Sequence, residues 1–132
     1  MKQVAAMFLR NSNNEYLITR RAPTESMAGW WEFPGGKIEN NESAEECLTR
    51  EIKEELNLDI DVDEELARSF YKYEHGAFEI IGFSATCNQT LNMTLAVHDK
   101  VSWEKLEDLT GFNLLPADVL LVEHILNSKG VS

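Results

Sequence analysis

The chain has 132 residues, and its 12 Lys and Arg against 23 Asp and Glu leave a formal net charge of −11. That length predicts one domain, residues 1–132, burying about two-thirds of its unfolded surface around a core that 43% hydrophobic residues can fill. So acidic a surface excludes duplex nucleic acid as a partner. No apolar run reaches membrane-spanning length, and two cysteines cannot build a disulfide framework.

The start, Met1-Lys2-Gln3-Val4, has neither the charged nor the apolar region of a signal peptide. A cytoplasmic, reducing setting is therefore expected, with Cys47 and Cys87 as free thiols and Cys47 as a small buried residue. Residues 4–9 read as a buried strand, Asn11-Ser12-Asn13-Asn14 as a turn and residues 16–20 as a second strand, which together predict an opening hairpin. Trp30-Trp31-Glu32-Phe33 reads as a short extended segment ended by Pro34-Gly35-Gly36. Period-two alternation would place Trp31 and Phe33 on one side of it, Trp30 and Glu32 on the other.

A helix is predicted over residues 44–56. Ser43 and Glu46 form the capping-box pair at its start, and Asn57 is suited to the left-handed residue that ends it. Residues 66–73 and 78–87 suggest two strands around Glu74-His75-Gly76, and residues 101–103 one more. Pro116 suits a helix start, and residues 119–126 carry helical apolar spacing. Strands with one helix mid-chain and one at the end predict an α/β (α+β) fold in which a mixed sheet packs between helices.

The first helix carries the chemistry. With about 100° of turn per residue, Glu54 lies at roughly 300° and Glu55 at roughly 40° from Glu51, so three carboxylates share one arc. That arc borders a core stripe of Ala44, Leu48, Ile52 and Leu56. Carboxylates so close repel one another and call for compensation, which Mg²⁺ or Mn²⁺ supplies as a hard, oxygen-seeking ion. Such ions would also reconcile an acidic protein with a polyanionic small substrate. The helix alone is compatible with a solvated acidic face; its flank decides between the two.

Gly36 is followed by Glu42, then by Arg50-Glu51-Ile52, Glu54-Glu55 and Leu58. Residues 36–58 thereby resemble the Nudix box, G-x5-E-x7-R-E-U-x-E-E-x-G-U with U apolar. One specified position departs: Asn57 stands in place of Gly, a mild change because Asn tolerates the same backbone conformation. The run from Trp31 to Glu39, Leu17-Ile18-Thr19-Arg20-Arg21-Ala22 and Leu115-Pro116-Ala117-Asp118 are similar to segments of MutT-type enzymes and CTP pyrophosphohydrolases.

The resemblance implies a Nudix fold. It implies that the Gly35 carbonyl and the carboxylates of Glu51, Glu54 and Glu55 hold Mg²⁺ or Mn²⁺, with Glu51 also activating water and Arg50 orienting it. Glu42 would serve behind them. Lys37 and Arg21 would lie near the phosphates and nucleotide, and Phe33 and Tyr73 would line a base pocket. Glu32 and Asp118 would accept from an exocyclic amine of the base. The implied activity is hydrolysis of a nucleoside triphosphate to monophosphate and pyrophosphate, for CTP or dCTP turnover or for cleansing the pool of oxidised dNTPs such as 8-oxo-dGTP. ADP-ribose or a nucleotide sugar as substrate, a non-catalytic nucleotide-binding module, and a monomer or a homodimer stay open. Relatives often carry one more acid in the loop before a late Trp; here Val97 takes its place, Asp99 is the candidate substitute, and His98 reads as a polar loop residue.

Overall fold

In a computed structural model, which describes residues 2–74, 76–87 and 92–128, residues 5–9 of strand β1 (Lys2–Leu9) are all buried. A strand buried on both faces belongs in the middle of a covered sheet. Its two edges are taken by β4 (Gly35–Lys37), antiparallel, and β6 (Gly76–Thr86), parallel from Lys2↔Phe78 to Leu9↔Ala85. β5 (Asp61–Tyr73) pairs antiparallel with β6, giving the order β4-β1-β6-β5. Beside this mixed sheet, β2 (Tyr16–Arg21) is flanked by β3 (Trp31–Glu32) and β7 (His98–Glu104) in an antiparallel three-stranded sheet.

Alternation in β1 divides the core in two. Ala5, Met7 and Leu9 pack with Leu48, Ile52 and Leu56 of helix α1 (Ala44–Leu56). Ala6 and Phe8 pack with Leu121 and Ile125 of helix α2 (Pro116–Ser128). The expected helix–sheet–helix sandwich is thus present, with a second sheet added to it. Among the described residues no helix is long and apolar enough to cross a membrane.

The opening hairpin is corrected. Among the described residues β1 and β2 meet at the isolated bridge Arg10↔Tyr16 and at the Asn11–Glu15 turn, then part into different sheets. The reason is edge occupancy: β4 and β6 fill both edges of β1, so β2 finds its partners elsewhere. Gly35–Lys37, read from sequence as the end of an extended segment, is itself a strand. A Cβ on Gly35 would lie 1.9 Å from the Ala5 carbonyl oxygen, so this backbone reaches β1 because glycine stands there. Strand β5 begins earlier than expected. His75, inside the predicted turn, lies outside the described residues.

Helix α1 forms with the predicted caps. The Ser43 hydroxyl accepts from the Glu46 N–H at 3.0 Å, and the Glu46 carboxylate accepts from the Ser43 N–H at 2.9 Å. Asn57 ends the helix at φ 55° and ψ 40°, and its N–H donates to the Lys53 carbonyl. Cys47 joins the buried stripe, its thiol 3.4 Å from the Gly36 carbonyl and 3.3 Å from that of Lys37.

Because Asn57 holds a left-handed backbone, Asn57→Gly is expected to keep or raise stability and Asn57→Ala to lower it by about 1 kcal/mol. Urea unfolding of the three proteins measures this. Equal stability of the Gly and Ala variants would contradict a backbone cause.

Candidate active site

Strand β4 sets the position of the acids on α1. A Cβ on Gly36 would lie 2.3 Å from Cδ of Glu51, so the carboxylate rests directly against this backbone. Arg50 faces the same seam. Its Nη1 donates to Glu51 at 2.8 Å, while Nε and Nη2 donate to Glu42 at 2.8 and 3.0 Å. That pairing, with the Glu39 N–H behind it, holds the Glu42 carboxyl down at about 2. Glu54 lies 3.5 Å from Arg50, and its side chain is 60% exposed. Glu55 turns inward: Oε1 is buried without a hydrogen-bond partner among the described residues. Burial first, then the charges of Glu32 and Glu51, pushes this carboxyl up to about 9.

Glu51 and Glu55 border a cavity of about 850 Å³. Glu51, Glu55, Gly35 and Gly36 form the part built by α1 and β4. Leu115, Ala117 and Asp118 come from the start of α2, and Tyr73 and Phe78 from the β5–β6 hairpin. Asp118 is buried, and Oδ2 accepts from the Phe33 N–H at 3.4 Å. Burial, then the charge of Glu32, raises its carboxyl well above the usual range. Phe33 is largely a core residue, stacked on Phe8 with centroids 3.9 Å apart, yet it borders the cavity beside Glu32. Alternation separates the two, but β3 ends at Glu32 and the rule lapses at Phe33. The Tyr73 hydroxyl accepts from the Ala117 N–H at 3.4 Å, and burial raises its pKa.

Among the described residues two cations border the cavity. Arg21 is engaged: Nη1 lies 3.2 Å from each oxygen of Glu32, and Nε and Nη2 donate to Ser26. Lys37 is exposed, with Nζ 5.9 Å from the Phe78 ring centroid and no carboxylate partner among the described residues. Of the residues singled out for metal, catalysis or substrate, Arg50, Glu54, Glu42 and Asp99 stand outside the cavity lining and the rest border it.

Asp99 does not reach the cavity. Arg20 holds it in a two-pronged pair at 2.8 and 2.9 Å. His98, read from sequence as a polar loop residue, is instead buried at the start of β7 with Nε2 2.8 Å from Oε2 of Glu32. A bulge accounts for both. The β2–β7 register shifts between Arg20 and Arg21, so Arg21 pairs with His98 while Asp99 and Lys100 both face outward. Local spacing carries no signal of such a shift.

Among the described residues no three His, Cys, Asp or Glu side chains are gathered closely enough to form a metal site as they stand. The donor set nonetheless suits a hard divalent cation. It consists of oxygens, includes the unpartnered Glu55 Oε1, and sits where glycine admits the Glu51 carboxylate to the backbone.

A model of the NUDIX domain matches residues 1–124. The CTP pyrophosphohydrolase of Escherichia coli (strain K12) is 34% identical over 122 residues, covering 91% of this chain and 87% of that protein. The 8-oxo-dGTP diphosphatase of the same organism is 50% identical over 56 residues; the match spans 42% of this chain and 43% of that protein, less than half its length. The crystal structure of a MutT protein from Methanosarcina mazei Go1 superposes with a TM-score of 0.86 at 25% identity, covering 97% of this chain and 94% of that one.

Glu55 generates a prediction about pH. Its folded pKa of about 9 exceeds the unfolded value of about 4.3, so the folded state binds the extra proton between them. Stability from this group is complete below the lower value and falls as pH rises toward the upper. In metal-free protein, Glu55→Gln is expected to flatten that fall and to raise Tm more at pH 8 than at pH 5. Thermal unfolding in chelator reads it, and a Tm difference independent of pH would count against a buried, titrating Glu55.

Proposed function

The chain belongs to the Nudix hydrolase family, and from that membership we propose a MutT-like pyrophosphohydrolase that splits a nucleoside triphosphate into monophosphate and pyrophosphate. CTP or dCTP, or an oxidised dNTP such as 8-oxo-dGTP, is the proposed substrate. One observation carries this reading: a single cavity is bordered both by the box acids Glu51 and Glu55 and by the carboxyls of Glu32 and Asp118. The first pair suits a polyphosphate neutralised by cations, the second the polar edge of a base.

In this reading the chain acts as one domain in the cytoplasm, a setting compatible with the free thiols Cys47 and Cys87. The Gly35 carbonyl, Glu51, Glu54 and Glu55 would hold Mg²⁺ or Mn²⁺, which would neutralise phosphate charge and lower the pKa of water. Arg50, 2.8 Å from Glu51, aims that carboxylate, and Glu51 takes the proton from the attacking water. Among the described residues Lys37 is the cavity cation without a carboxylate partner, and in this reading it meets a phosphate oxygen. Tyr73, Phe78 and the edge of Phe33 supply apolar walls for the base. Arg21 serves by holding Glu32 and Ser26, since each of its three nitrogens already has a partner.

The test is pyrophosphate release from CTP, dCTP, 5-methyl-dCTP, 8-oxo-dGTP, dGTP, ADP-ribose and a nucleotide sugar, with Mg²⁺ and with Mn²⁺. Glu51→Gln is expected to lower kcat by about 10²-fold or more on the preferred triphosphate, and Glu54→Gln to weaken dependence on the cation. Cleavage confined to ADP-ribose or the nucleotide sugar would replace the proposed substrate. A folded protein that cleaves none of them with either ion would leave a nucleotide-binding module.

A further inference from the structure

His98 has no part in the mechanism above, yet its side chain is 0% exposed and stands directly behind the cavity wall. Nε2 lies 2.8 Å from Oε2 of Glu32, while Nδ1 is buried with no partner among the described residues. An ionised carboxylate only accepts, so Nε2–H is the donor in this pair. Leaving the other ring nitrogen buried and unpaired is unfavourable, and an apolar side chain would fill the space without that penalty.

Three adjacent strands bring the group together. Thr19 of β2 pairs with Glu32 of β3, and Arg21 of β2 pairs with His98 of β7 across the bulge. Glu32, only 12% exposed, is therefore gripped from two sides. Oε2 receives both His98 and Arg21, whereas among the described residues Oε1 receives Arg21 alone at 3.2 Å. Oε1 keeps accepting capacity on a residue that borders the cavity. Arg21 cannot fix the carboxylate by itself, because one nitrogen near-equidistant from both oxygens leaves its rotation undetermined.

Building on the pyrophosphohydrolase reading, we propose that His98 is a positioning residue for base choice. By donating from Nε2 to Oε2 of Glu32, it leaves Oε1 as the acceptor for an exocyclic amine of the nucleobase. His98 touches no substrate; it acts through Glu32.

The proposal is tested with nucleotides that differ in one amine, CTP against UTP and dGTP against dITP. His98→Phe and His98→Asn both remove the donor at the Nε2 position, and His98→Gln restores an N–H near it. The wild type is expected to favour the amine-bearing member of at least one pair. Both loss variants should shrink that preference about tenfold through KM, with kcat within about twofold, and His98→Gln should recover much of it. In a Glu32→Gln background His98→Asn should change the preference no further. An unchanged preference, an equal loss for all nucleotides, or a full additional loss in the Glu32→Gln background would overturn the assignment. Metal-free binding of CMP against UMP gives a second reading. If the wild type binds but cleaves nothing, the pyrophosphohydrolase fails while the same variants still decide the role of His98.

Discussion

Two consecutive glycines impose the constraint on which the site depends. Gly35 lets β4 approach β1 where a side chain would strike the Ala5 carbonyl, and Gly36 lets the Glu51 carboxylate lie against the same strand. Helix α1 is thereby drawn close on its acidic border, with Leu48 and Ile52 in the core beneath. The cavity is what remains between this seam, the β5–β6 hairpin and the start of α2.

Charge is managed unevenly around that cavity. Arg50 gathers Glu42 and Glu51, and Arg20 takes Asp99 outside. Glu55 and Asp118 are buried with no salt-bridge partner among the described residues; burial raises both carboxyls, and Glu32 adds to the rise in each. Glu32 therefore links the acidic part of the cavity to the part facing α2; its charge is paired with Arg21, and His98 hydrogen-bonds it. A cation beside Glu55 would relieve the first of these burdens, and an amine-bearing base facing Glu32 would draw on the second.

Helix α1 shows how far local chemistry reaches. Its caps depend on residues within four positions, so Ser43, Glu46 and Asn57 could be read directly and adopt the expected geometry. The arc of Glu51 and Glu55 beside the core stripe follows from helical periodicity, and both border the cavity. Glu54 shares that arc by angle but is exposed, because the angle says nothing about where the neighbouring strand ends.

What the sequence by itself determined is the two helices and most of the strands, the two capped ends of α1, the box that marks the family, and Glu32, Glu51, Glu55 and Asp118 among the acids that border the cavity. The tertiary structure alone decided which strands became neighbours, that β1 and β2 part into separate sheets, and that Arg21 spends its donors on Glu32 and Ser26. It also decided that His98, not Asp99, turns inward. The physical reason is range. Caps and periodicity are set by contacts a few residues apart, whereas strand pairing and the one-residue shift of a bulge depend on edges contributed by chain more than seventy residues away, as between Arg21 and His98.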